Sequence, residues 1–157
     1  MPENLFPEED IVLTEEDIED DEEPVGYMES VYFDEEIGDF IRDGQYRLKT
    51  ATGQEAWEQW CINCLLTERD AYPAYGELFG ISTIEAFESD DRAEIESILT
   101  MEITEGLMND PYGRTVAVRE IEFDWQENQE AADIYVTVEG LEEATIDISV
   151  TIDRRVR

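Results

Sequence analysis

The chain has 157 residues, 41% of them apolar, and a formal net charge of −33, with one lysine, nine arginines and no histidine. That length suits one domain with a real core, and that charge excludes bare nucleic acid and anionic membrane surfaces as partners, since both are polyanions. No stretch reaches the roughly 18 consecutive apolar residues of a bilayer span, and the start "MPENLFPEED" lacks the basic and apolar regions of a signal peptide, so a soluble protein made without Sec export is expected.

Residues 1–27 read as an acidic, extended or disordered arm; residues 1–30 hold 13 acidic and no basic side chains, which leaves −20 on the rest. Leu5, Phe6, Ile11, Val12 and Leu13 are the arm's apolar points, suited to docking on a partner or simply part of a solvated tail. A single α+β domain is expected over 28–157. Its acidity implies self-repulsion that high salt would screen, which fits a halophilic source; an acidic mesophilic protein is the plainer reading.

Around Val31 and Phe33 short strands are expected, with "RDGQ" (Arg42–Gln45) as an Asp-Gly hairpin turn. A first helix is expected from Thr52, with "TGQE" as a capping box and Trp57, Trp60, Cys61, Cys64 and Leu65 on one face. The two cysteines lie mid-helix among apolar neighbours and read as buried thiols, because a redox pair starts a helix and a zinc site needs further ligands that the chain lacks. No metal or cofactor is expected.

The stretch "LLTERDAYPAYGELFG" (Leu65–Gly80) follows. Arg69 at the helix end suits the dipole, and its five donors suit loop carbonyls or a carboxylate. Pairing with Glu68 would hold that carboxylate ionised and unfit as a general acid. Pro73 and Gly76 set a turn carrying Tyr72 and Tyr75. The segment reads either as a local lock between two helices or as a lock presenting a surface to a neighbouring subunit.

A second helix is expected over Asp90–Met108, with Ile95, Leu99, Ile103 and Leu107 every four residues and Pro111 ending it. Three strands follow as an antiparallel meander: Val116–Trp125 with a bulge near Arg119–Glu120, then Ile134–Val138, then Ile146, Ile148, Val150 and Ile152 after a turn at "EGLEE". The architecture is two helices packed on one face of an antiparallel sheet. Arg154, Arg155 and Arg157 close the chain, either as a frayed end that relieves repulsion or as a contact for an acidic neighbour.

With histidine absent and no glycine-rich phosphate loop, catalytic motifs are not evident. The spacing R-x-x-x-P-x-Y-G, Arg69 to Gly76, after a helix ending "LLT" resembles the baseplate sheath-initiator proteins of contractile phage tails, the wedge proteins once called lysozyme-like, with relatives in other contractile injection systems. The similarity runs over about Tyr32–Ile152 in order and spacing. The family's Glu-Pro-Arg motif falls at "DPYGR": Asp110 stands for Glu, Pro111 is kept, and Arg114 is displaced by two residues.

The resemblance implies a structural, non-enzymatic protein of the virion tail baseplate, assembled in the host cytoplasm, that joins the baseplate to the first sheath ring and nucleates the sheath. It implies as partners the tail sheath subunit, baseplate wedge proteins and tail tube or hub proteins. The docking element would be the sheet edge carrying Ile146, Ile148 and Val150. A muramidase-type glycosidase and an acidic DNA-mimic inhibitor are the rival readings.

Overall fold

The computed structural model describes residues 26–154. Residues 1–25 of the expected arm, and Arg155 and Arg157, lie outside that range. The arm's expected last residue, Tyr27, belongs to the packed body: its ring sits 5.5 Å from that of Trp57 and its hydroxyl donates to the Leu141 carbonyl at 2.6 Å.

Four two-residue strands open the fold. Strand β1 (Ser30–Val31) pairs with β4 (Thr50–Ala51), and β2 (Phe33–Asp34) with β3 (Asp39–Phe40), both antiparallel. Arg42 bridges Leu48 around the expected turn, but the turn is wider than a two-residue Asp-Gly hairpin. Asp43 N–H donates to the Arg47 carbonyl at 2.7 Å, and Tyr46, not Gly44, takes the left-handed conformation at φ 61°.

Helix α1 (Gln54–Leu66) begins two residues later than expected and without a capping box. Its N-cap is Gly53, at φ 60°, with no side-chain cap bond. Turning the chain at a left-handed glycine puts the Thr52 hydroxyl one position outside the place where it would accept from the first turn. Glu55 still lies in that turn, where the helix dipole favours a carboxylate. Trp57, Cys61, Cys64 and Leu65 are buried as the periodicity predicts.

A single-turn helix, α2 (Thr83–Ala86), was not legible in the pattern. Helix α3 (Arg92–Met108) is capped by Asp91, whose carboxylate accepts from Ala93 N–H at 2.9 Å. Ile95, Leu99, Ile103 and Leu107 all face the core.

Strands β5 (Thr115–Trp125), β6 (Ala131–Gly140) and β7 (Thr145–Asp153) form the meander in the order β5-β6-β7. The register slips between Val118 and Glu120, where the out-of-step alternation places a bulge, and again between Thr115 and Ala117. A 3-10 turn at Leu141–Glu143 joins β6 to β7. Helix α3 lies over β5 and α1 over β7, so all three helices and the sheet's inner face share one core. Ile146, Ile148 and Val150 belong to that core at 8%, 3% and 5% exposure. A partner meeting β7 therefore meets its main chain and its outward residues, not these side chains.

The opposite face of the sheet is acidic. Asp124 stands directly across from Asp133, and in the small ladder Asp34 stands across from Asp39. Like charges at directly opposed positions destabilise a ladder.

Gly140 ends β6 under the α1 tryptophan. A Cβ there would come within 2.5 Å of the Trp57 indole and 2.7 Å of the Tyr27 hydroxyl oxygen. Its conformation is ordinary, so the constraint is purely steric. Gly140→Ala is expected to lower stability by about 1–3 kcal/mol through overpacking, read from a urea titration as a lower midpoint at unchanged slope. An unaltered midpoint would mean that Trp57 moves aside freely.

Candidate protein-interaction site

Thr67 to Ile81 leaves the end of α1 and returns beside it. Ile81 N–H donates to the Thr67 carbonyl and Arg69 N–H to the Ile81 carbonyl, both at 3.0 Å, which closes the loop at its base. Gly80 makes that closure possible: its φ is 95°, and a Cβ would lie 2.6 Å from the Thr67 carbonyl oxygen. Inside the loop, Tyr75 N–H donates to Tyr72 and Phe79 N–H to Gly76, each at 3.1 Å, giving successive turns.

Arg69 holds this loop from behind. Its guanidinium donates to the Gly80 carbonyl at 3.3 Å and meets the Glu102 carboxylate of α3 at 3.2 Å and that of Glu105 at 3.9 Å. The side chain is only 16% exposed, and its two terminal nitrogens are engaged within the chain. Glu68 does not pair with Arg69. Its carboxylate accepts from Thr83 N–H at 2.9 Å and Ile84 N–H at 3.3 Å, capping α2.

The outer side of the loop is aromatic. Rings of Tyr72 and Tyr75 lie 5.7 Å apart, Tyr75 and Phe79 4.8 Å, and Phe79 and Trp60 5.9 Å. Edge-to-face and offset contacts at such distances are favourable.

The second motif, Asp110 to Arg114, is a buried clasp. Arg114 donates from Nε and Nη2 to the two Asp110 oxygens at 2.8 and 3.0 Å, and its backbone N–H adds 2.9 Å. The side chains are 3% and 0% exposed. The guanidinium also lies 5.6 Å from the Trp60 ring and 5.0 Å from that of Tyr112, within cation–π range. Neither charge of the pair is left for a neighbour, so the surface of this motif is Pro111 and Tyr112.

Both segments open on one groove of about 1350 Å³. Tyr75, Gly76 and Leu78 form one wall, Phe33 and Phe40 of the small ladder another, Trp60 and Arg114 the floor, and Pro111 and Tyr112 one end. Of the residues singled out from sequence, Tyr75, Gly76, Pro111 and Arg114 therefore meet. Pro73 is exposed just before the wall, and Arg69 supports it from behind.

Arg154 lies elsewhere. It donates to the Ser89 carbonyl at 3.1 Å, approaches Asp90 at 3.4 Å and covers the Phe87 ring at 5.6 Å. It folds back on the α2–α3 connection instead of reaching away from the sheet. Phe40, Leu78 and Tyr112, 50%, 59% and 51% exposed, were missed; the available signal was large apolar residues beside turns in a chain otherwise rich in surface carboxylates.

Cys61 and Cys64 are free and buried. Burial pushes the Cys64 thiol up to about 11, and burial with the nearby Cys64 and Asp110 pushes Cys61 up further. Thiols held protonated in this way are poor nucleophiles.

A family model described as the contractile injection system sheath initiator matches residues 29–143. The matched span contains both groove segments. No curated protein matches the chain.

Removing Arg114 would leave Asp110 as a buried, uncompensated charge, and Arg114→Ala is expected to cost about 3–5 kcal/mol in urea unfolding. Arg69→Ala should cost less, about 2 kcal/mol, because Glu102 keeps the Ser82 N–H at 2.9 Å. Equal losses at both positions would contradict the difference in burial.

Proposed function

The chain belongs to the contractile injection system sheath initiators, and from that premise we propose that it joins a tail baseplate to the first sheath ring and nucleates sheath assembly. The observation that carries this is the convergence of two motifs, some forty residues apart in sequence, on one apolar groove beside a sheet with open edges. The groove takes a baseplate wedge protein. The sheath subunit adds to the free edge of β7, which pairs on one side only among the described residues, because an unpaired strand recruits another chain through main-chain hydrogen bonds. Arg155 and Arg157, just beyond β7, add short-range attraction to an acidic sheath subunit. Tube or hub proteins complete the surroundings, in a virion tail assembled in the host cytoplasm.

The role is structural and without turnover. Near the two motifs, Asp110 is committed to Arg114, Glu68 to the first turn of α2 and Glu102 to Arg69 and Ser82, whereas a glycosidase needs one carboxyl free to give a proton and another free to attack or activate water.

Tyr75→Glu and Tyr112→Glu place charge on exposed walls of the groove and are expected to leave the isolated fold intact. In a reconstituted assembly they should reduce incorporation into the baseplate at least tenfold, seen by microscopy as bare tubes. Sheaths of normal length and yield with both variants would overturn the groove assignment.

The source is a high-salt cytoplasm. The facing pairs Asp124–Asp133 and Asp34–Asp39 place repulsion inside the ladders themselves, and at 1 M salt the screening length falls to about 3 Å. The melting temperature is expected to rise steadily from low to multimolar KCl. A flat or falling trend would remove the halophilic reading.

A further inference from the structure

The ladder between β6 and β7 runs without a register shift, whereas that between β5 and β6 is interrupted twice. Bulges blunt an edge against strand pairing, so β7 is the edge open to another chain. Its hydrogen bonds have a readable phase. At the two ends of the β6–β7 ladder, Gly140 N–H donates to the Ala144 carbonyl at 2.7 Å and Arg154 N–H to the Glu130 carbonyl at 2.8 Å. Bonded pairs recur at every second residue of an antiparallel ladder. Ile146, Ile148, Val150 and Ile152 are therefore the β7 residues that bond to β6. Asp147, Ser149 and Thr151 turn their N–H and C=O groups to the open side, and all three are exposed.

A strand added at that edge carries its side chains in step with those of β7. On the inner face it meets α1, which lies over β7. A cleft of about 80 Å³ opens there, between Leu65, Leu66 and Thr67 at the end of α1, Thr83 at the start of α2, and Thr151 and Ile152 of β7. No residue of β6 lines it, so it sits on the open side of the strand. It is far smaller than the roughly 300–1,000 Å³ of a small-molecule pocket and has room for one side chain. Leu66 is 57% exposed at its wall, and half-buried Ile62 stands one helical turn earlier on the same flank. Glu68 also borders the cleft, but its carboxylate is committed to the first turn of α2. The outer face is opposite in character. Asp133, Glu139 and Asp147 lie on it, and neither β6 nor β7 has a basic side chain.

We propose that β7 selects its incoming strand by side-chain phase: an aliphatic residue opposite Ile152 fills the cleft against Leu66, and a lysine or arginine stands opposite Asp147. This rests on β7 being the edge that receives the sheath subunit, and it names the chemistry that the subunit's strand carries. The main chain of an open edge accepts any extended segment, so it gives affinity without choice. The side chains supply the choice. A strand slipped by one residue turns its aliphatic side chains to the acidic face and its cation to the apolar one. A cation directly opposite Asp147 is a favourable cross-strand pair, whereas a carboxylate there is repelled. Asp147 already accepts from the Thr137 hydroxyl through Oδ1 at 2.8 Å, which leaves Oδ2 for the incoming charge.

The test uses the intact chain and capped peptides of about seven residues, a common strand length. One alternates leucine with arginine, a second serine with arginine, a third leucine with serine. Binding is measured in about 1 M KCl, which suppresses diffuse attraction between a basic peptide and an acidic protein. In the free chain, amide exchange is expected to alternate along β7, fast at Asp147, Ser149 and Thr151 and slow at Ile148 and Val150. The leucine–arginine peptide should slow the three fast amides at least tenfold and bind at least tenfold more tightly than the serine–arginine peptide. Leu66→Gln, at an exposed position, should remove that preference. Asp147→Asn should weaken the leucine–arginine peptide severalfold and leave the leucine–serine peptide unchanged. Ser149→Pro takes away one open-side N–H and none of the bonds to β6, and it should abolish protection by every peptide. Equal protection of β7 by the leucine and serine peptides, or a preference that survives Leu66→Gln, would overturn the selection by phase and leave strand addition standing. Peptides that bind without slowing Asp147, Ser149 and Thr151, or that do not bind, would overturn both.

Discussion

The Asp110–Arg114 pair holds the junction on which the other elements depend. It spans the turn between α3 and β5, and each neighbour of Arg114 belongs to a different part of the fold. The Arg114 carbonyl accepts from Leu141 N–H at 3.2 Å, tying in the β6–β7 turn. Thr115, the next residue, accepts from the Trp57 indole N–H at 3.0 Å, tying in α1. Trp60 and Tyr112 flank the guanidinium. A buried ion pair is a doubtful source of net stability, since desolvation offsets the attraction. Its worth here is geometric: two donors on two acceptors admit one orientation, and that orientation fixes the floor and one end of the groove.

Arg69 works in the same manner one layer out. It joins the α1 loop to α3 through Glu102, and Glu102 in turn holds Ser82 at the entry to α2. Arg69 and Arg114 are thus internal braces, and the surfaces they brace are aromatic. In a chain with ten basic residues against 43 acidic ones, a cation is scarce, and placing it inside, where one carboxylate would otherwise be stranded, gains more than placing it on a surface where salt screens it.

Strong periodicity was readable in advance and local turn chemistry was less so. The four-residue repeat of α3, the strand alternation and even the slip at Arg119 follow from side-chain spacing, because burial of one face enforces it. The capping box at Thr52 failed because Gly53 took over the turn, a backbone choice that composition does not reveal. Single-turn α2 was missed because four residues carry no period; its stability comes from Glu68, fifteen residues before its first residue. The motif residues Tyr75, Gly76, Pro111 and Arg114 were found separately, but their meeting was not legible. It depends on α1 and α3 lying side by side, a tertiary relation. The place of Arg154 was not legible for the same reason: nothing in "DRRVR" indicates that Phe87 and Ser89 lie beneath its first arginine.

The closed base of the Thr67–Ile81 loop separates what can change in it from what cannot. Because the two strands of chain meet in a short parallel bridge between Glu68 and Ile81, everything between them is an Ω-like excursion whose ends are already joined. Lengthening it adds only about 0.6 kcal/mol for each doubling of its length, and the core beneath is not asked to move. The tip can therefore be exchanged or extended to match a different neighbour, while Gly80, Arg69 and the helices below stay as they are. The excursion is in that sense a replaceable cassette, carried on a clasp that need not change with it.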